Sequence, residues 1–149
     1  MYHSINFTYF NSILSHTYIM VDIKSTKVHK IVGICGSLRE KSTNLAILKL
    51  LGEQLPADKF SFEIINYKDF TVYNGDDEER VIPDAVKRVH AQILAADGMV
   101  IASPEYNYSV SGALKNAIDW LSRVQPSPFD KKPISIISAV AGGSGGARC

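Results

Sequence analysis

Short β-branched runs alternate along this chain with stretches whose apolar residues recur at helical spacing, and this alternation limits the fold more than any other feature. Residues 29–35 read as a buried strand, and residues 43–54 as a helix that carries Leu45, Leu48 and Leu51 and ends near Gly52 and Pro56. Residues 60–66 alternate Phe60, Phe62 and Ile64 in strand fashion, and a loop containing Tyr73-Asn74-Gly75-Asp76 follows, in which Asn-Gly signals a turn. Pro83 starts a second helix bearing Ile82, Val86, Val89 and Ile93, and Gly98 turns into a strand that runs to Ser103 and meets Pro104. Ala113, Leu114, Ala117, Ile118 and Leu121 mark a third helix, and residues 134–140 a fourth strand. Strands that are apolar on both faces need cover on both, which crossover helices supply to a parallel sheet. The expected fold is α/β, a doubly wound parallel sheet with helices on both faces.

In such sheets ligands bind beyond the carboxyl ends of the strands, where the winding direction switches. Three informative loops leave those ends. The first, Gly36-Ser37-Leu38-Arg39 with Ser42 and Asn44, runs from a strand into a helix N-terminus. The first helical N–H groups lack carbonyl partners and carry the positive end of the peptide dipoles, so this end attracts a phosphate oxygen. Gly36 allows a close backbone turn, Ser37 and Ser42 offer hydroxyl hydrogens, Asn44 an amide hydrogen, and Arg39 a forked charged donor set. A plainer reading also stands, in which Ser42 or Thr43 caps the helix and Arg39 is solvated. No Walker loop or Gly-x-Gly-x-x-Gly fingerprint occurs. A phosphatase-type loop starting at Cys35 would need arginine at position 41, where Lys41 stands. Cys35 therefore reads as a small buried residue at a strand end.

The second loop, Ser103-Pro104-Glu105-Tyr106-Asn107-Tyr108, joins a stiff proline to aromatic rings and exposed peptide groups, against which a planar heterocycle can lie. Its alternative is a bare turn before the third helix, capped by Ser109 or Ser111. The third loop, residues 142–146, is Gly-Gly-Ser-Gly-Gly and can bring backbone close to a flat ligand, or serve as a flexible linker. Trp120 reads as core or interface packing, and His90 as solvated or packed.

With 149 residues and 46% hydrophobic content, the chain suits one domain with a real core and is too short for two of usual size. A formal net charge of +1 with dispersed Lys and Arg gives no electrostatic reason to expect nucleic acid. Two cysteines make no disulfide framework, which points to a reducing compartment, the cytoplasm by default. Residues 1–21 lack Asp, Glu, Lys and Arg, without the basic start of a secretory signal, the arginines of a transit peptide, or enough apolar residues to span a bilayer. Residues 1–28 are thus expected to be a disordered leader, and residues 29–149 the domain.

Together the first and second loops, Tyr73-Asn74-Gly75-Asp76, the stretch from Leu114 to Trp120, Lys132-Pro133 and the glycine loop resemble the NAD(P)H-dependent FMN reductase family, which includes quinone and chromate reductases. The resemblance runs in order from about His29 to Arg148. It implies a flavodoxin-like sheet with FMN as the redox centre and NADPH or NADH as electron donor. By position it assigns Ser37, Arg39, Ser42 and Asn44 to the FMN phosphate, Pro104, Glu105, Tyr106 and Asn107 to the isoalloxazine, and Gly142 and Gly143 to its other side. Electrons would pass through flavin N5 to a small-molecule acceptor such as a quinone, free flavin or a metal oxyanion. No side-chain acid, base or nucleophile and no metal site is implied. The family is also similar in forming homodimers or homotetramers, often through the helix with Asp119 and Trp120. Members continue past the glycine loop with a helix, a fifth strand and a final helix, so the domain is expected to be truncated after the fourth strand. The competing readings are a non-enzymatic FMN-binding electron carrier or regulatory module, and an inactive fragment. Carriers of flavodoxin type tend to be strongly acidic, and the near-neutral charge favours the enzyme.

Overall fold

The computed structural model describes residues 27–139 and residue 146. Among them the elements follow in the order β1 (His29–Cys35), α1 (Thr43–Gln54), β2 (Phe60–Ile65), α2 (Gly75–Arg80), α3 (Asp84–Leu94), β3 (Gly98–Ala102), α4 (Gly112–Leu121) and β4 (Ile134–Ile137). The strands form one parallel sheet in the order β2-β1-β3-β4, which places β1 between β2 and β3. The chain steps to one side of β1 for β2 and to the other for β3, so the winding reverses there.

Each face of the sheet carries its own apolar cluster, as the period-two alternation of strand side chains requires. Val32 and Ile34 of β1, Ile65 and Met99 pack with Val86, Val89 and Ile93 of α3 and with Leu114, Ala117, Trp120 and Leu121 of α4. On the opposite face Ile31, Cys35, Val100 and Ala102 meet Leu48 of α1. Fully burying a side chain of the size of Leu48 or Ile93 contributes about 1.5–3 kcal/mol, and these two clusters fix the helices against the sheet. Trp120 is fully buried, so it belongs to the core of this chain; its Nε1 donates to the Thr71 carbonyl at 2.9 Å. Asn116, one turn earlier on α4, donates to the same carbonyl at 2.9 Å and accepts from Tyr73 N at 2.8 Å. These bonds dock the loop after β2 onto α4. His90 is buried and its Nε2 lies 2.8 Å from the Pro126 carbonyl, a packed position.

Two elements differ from the sequence expectation. Asn74 begins a helix instead of a turn: its side chain accepts from Asp76 N at 3.1 Å, and Asp76, Asp77 and Glu78 fill the first turn of α2, where the helix dipole favours negative charge. The fourth strand ends at Ile137. Among the described residues β4 has a neighbour only on its β3 side, and Ile134 and Ile136 are 42% and 66% exposed. Of the expected leader, residues 1–26 lie outside the described residues. Lys27 is already tied to the domain through an ion pair with Asp97. Asp97 also accepts from Lys30 N at 2.8 Å, and the bonds from Lys27 and from this backbone amide hold its carboxyl below the usual carboxylate range.

Candidate functional site

Strand register brings the loops together. Cys35, Ala102 and Ile137 stand in one row across β1, β3 and β4, so the segments that follow leave the sheet side by side. Gly36 N donates to the Ala102 carbonyl at 2.7 Å, and Ser103 N to the Ile137 carbonyl at 3.0 Å. The first two loops touch: a Cβ on Gly36 would fall 2.8 Å from Ser103 Oγ and 3.1 Å from Ser103 Cα, a separation only glycine allows. Two buried hydroxyls fix the carbonyls of this turn. Tyr67 donates to the Cys35 carbonyl at 2.7 Å, and burial pushes its phenol pKa well up, which keeps it a donor. Ser111 donates to the Gly36 carbonyl while capping α4, accepting from Leu114 N at 3.2 Å. Neither residue was singled out as a site residue from sequence; Ser111 had a signal as a helix cap, whereas Tyr67 had none.

The corner between β1 and α1 keeps a set of donors. Ser42 caps α1, its Oγ accepting from Leu45 N at 3.3 Å, and lies 3.9 Å from the buried Cys35 thiol. The cap expected from sequence is therefore present, and the Ser42 hydroxyl proton either points to the Cys35 sulfur or is available to a ligand. Ser37 Oγ accepts from Arg39 N at 3.4 Å, and Ser42 N donates to the Arg39 carbonyl at 3.2 Å, which curls the loop over the helix end. Among the described residues, the N–H groups of Leu38, Glu40, Lys41, Thr43 and Asn44 and the guanidinium of Arg39 have no hydrogen-bond or ion-pair partner. Unpaired amides at the N-terminus of a 12-residue helix, a free cation and two hydroxyls form a donor set that fits a phosphate.

Asn44 is placed differently from the rest. It is buried, its Nδ2 donates to the Ala139 carbonyl at 3.0 Å, and its Oδ1 accepts from Ala139 N at 3.0 Å. Its side chain is thus engaged by the segment after β4.

The loop after β3 forms a tight hairpin. Tyr106 N donates to the Ser109 carbonyl at 3.0 Å, and Ser109 N to the Tyr106 carbonyl at 3.1 Å. Between them Asn107 and Tyr108 have φ of 51° and 62°, the left-handed pair of a type I′ turn. Asparagine tolerates that region, while for tyrosine it costs about 1–2 kcal/mol. Pro104 is buried, Glu105 is half-buried, and Tyr106 and Tyr108 are exposed. Gly142 and Gly143 lie outside the described residues.

A model of the NADPH-dependent FMN reductase family matches residues 29–149. The chain belongs to this family. Among FMN reductase relatives, the NAD(P)H-dependent FMN reductase of Pseudomonas aeruginosa is 45% identical over 119 residues, covering 80% of this chain and 64% of the relative. The quinone reductase of Escherichia coli is 42% identical over 121 residues, with 80% and 64% covered. The solved structure of FerB, a flavoenzyme NAD(P)H:(acceptor) oxidoreductase from Paracoccus denitrificans, superposes with a TM-score of 0.70 at 32% identity, covering 82% of this chain and 66% of that one. The NAD(P)H:quinone oxidoreductase of Methanothermobacter marburgensis shares the fold, with a TM-score of 0.64 at 15% identity over 75% of this chain and 64% of that one. The chain spans about 64% of the length of the curated relatives it matches. The parallel sheet with helices on both faces is the doubly wound arrangement expected from the strand and helix pattern, and the flavodoxin-like fold that the family resemblance implies.

Proposed function

We propose that this chain binds FMN along the rim formed by the ends of β1, β3 and β4 and serves as an FMN-dependent NAD(P)H oxidoreductase. The observation that carries this reading is the donor set of the β1–α1 corner, whose first residue, Gly36, packs directly on Ser103 at the start of the loop after β3. Ser37, Arg39, Ser42 and the free amides of the first turn of α1 would hold the phosphate. Pro104, Glu105, Tyr106 and Asn107 would line the ring, with Gly142 and Gly143 on its other side. When bound, FMN supplies two-electron chemistry between a nicotinamide and a small-molecule acceptor such as a quinone, free flavin or a metal oxyanion. The protein's part is positioning and exclusion of water from one side of the ring, with no side chain acting as acid, base or nucleophile.

Support comes from the family membership and from relatives named as FMN and quinone reductases. Among the described residues no helix is long and apolar enough to cross a membrane, and no cluster of His, Cys, Asp and Glu is placed to hold a metal. A domain over residues 29–149, homodimeric or homotetrameric assembly and a cytoplasmic location belong to the same proposal, and light scattering on the purified chain reads the assembly.

The deciding experiment is a titration of the purified chain with FMN, followed by NADPH and a quinone. The expected outcome is saturable quenching of flavin fluorescence, bleaching of the flavin band by NADPH and its recovery on adding the quinone. Arg39→Ala should weaken FMN binding by about ten-fold or more, since hydrogen bonds to charged groups are worth about 1.5–3 kcal/mol. A chain that never binds FMN, or an Arg39→Ala variant with unaltered affinity, refutes the assignment.

A further inference from the structure

The Asn44 amide joins two parts of the rim that sequence keeps 95 residues apart. Both ends of the amide are used on one residue: Nδ2 donates to the carbonyl of Ala139 and Oδ1 accepts from its N–H, each at 3.0 Å. The two bonds form a closed ring, the geometry in which a side-chain amide stands in for a neighbouring strand. Asn44 sits in the first turn of α1, among the residues expected to meet a phosphate, yet its side chain turns toward the carboxyl end of β4.

The two partners differ in how firmly they are otherwise held. Helix α1 is anchored by Leu48, which is fully buried, and by the Ser42 cap that sits against Cys35. Ala139 follows a four-residue strand that, among the described residues, is paired on one side only and exposes Ile134 and Ile136. The helix is therefore the rigid member, and the bonds from Asn44 set the position of the segment leaving β4.

Resting on the FMN-binding proposal above, we infer that Asn44 is a positioning residue: it holds the carboxyl end of β4 against the N-terminus of α1 and so shapes the ring side of the flavin crevice, and it gives no side-chain donor to the phosphate. The backbone N–H of Asn44 remains part of the phosphate corner.

Riboflavin, which has the ring and lacks the phosphate, separates these roles. Kd values for FMN and riboflavin are measured by fluorescence quenching, well below the melting temperature, for the wild-type chain, Asn44→Ala and Arg39→Ala. The expected result is that Asn44→Ala weakens FMN and riboflavin by the same factor, about ten-fold, the size of effect that one or two net hydrogen bonds give. Arg39→Ala should weaken FMN alone. A loss in Asn44→Ala confined to FMN makes its side chain a phosphate ligand and overturns the inference. A lowered melting temperature with both affinities unchanged makes it structural glue and overturns it equally.

A measurement on the wild-type chain keeps the inference open to refutation if the variant does not fold. The Ala139 amide should be protected from hydrogen exchange, and riboflavin should slow that exchange further while inorganic phosphate alone does not. An unprotected Ala139, or one that responds to phosphate but not to riboflavin, rejects the positioning role. Failure of the wild-type chain to bind either flavin is a separate result, which refutes the functional proposal itself.

Discussion

Replacing Gly36 by alanine tests whether the rim depends on two loops meeting without a side chain between them. The added Cβ would lie 2.8 Å from Ser103 Oγ and 3.1 Å from both Cα and Cβ of Ser103. Carbon atoms rest at about 3.5–4.0 Å, so the new methyl must move by at least about 0.4 Å from a backbone atom as well as from a hydroxyl that could rotate. Neither strand yields freely, because Gly36 N is bonded to Ala102 and Ser103 N to Ile137. Overpacking of this kind costs about 1–3 kcal/mol, and the restriction of the unfolded chain by alanine returns about 0.4–1 kcal/mol. The net expectation is a loss of about 1–2 kcal/mol in urea denaturation, with weaker FMN binding. Ser103→Gly removes two of the three close atoms and leaves Cα, so the double variant should recover about half of the Gly36→Ala loss. A double-mutant cycle with a coupling below about 0.3 kcal/mol, the scatter of additive sites, would show that the contact does not govern the rim.

Two further outcomes follow from the geometry. At the hairpin tip, Asn107→Gly should leave the denaturation midpoint nearly unchanged, whereas Asn107→Val should cost about 1–2 kcal/mol, because a β-branched residue resists φ near 51°; equal stability of the two variants would refute the left-handed assignment. Asp97 has a folded-state pKa below its unfolded value of about 3.9, so its contribution is complete above about pH 4 and disappears as pH falls through the lowered pKa. Asp97→Asn should therefore be less stable near neutrality, by under about 1 kcal/mol given its partly exposed partners, and should converge with the wild type in acid; a difference that persists unchanged at pH 2 contradicts the ion-pair account.

Local chemistry was legible wherever a short stretch of chain carried the whole cause. Helix α1 spans Thr43–Gln54, the residues its leucine spacing marks, and Ser111 caps α4 as one of the two serines expected to. Asn74-Gly75 was misread because the same dipeptide serves a turn or a helix start, and the choice belongs to Asp76, Asp77 and Glu78, whose charges favour the start of α2. Donors of the β1–α1 corner stand where the sequence puts them. The side chain of Asn44 does not, because Ala139 comes beside it only when β4 pairs with β3, and no local pattern announces a partner so distant. The contact of Gly36 with Ser103 and the bond from Tyr67 to Cys35 are of the same kind.

The central place of β1 bears on how the polypeptide acquires its shape as it leaves the ribosome. Among the described strands it is the first to be made, and it is flanked on both sides, by β2 and by β3, as β3 is by β1 and β4. One side can be satisfied soon after synthesis, while the other waits until two more helices and β3 have emerged. A nascent chain halted in that interval presents a bare, strongly apolar margin. Chaperone dependence should therefore peak for intermediates that end between α2 and β3, ahead of any flavin capture.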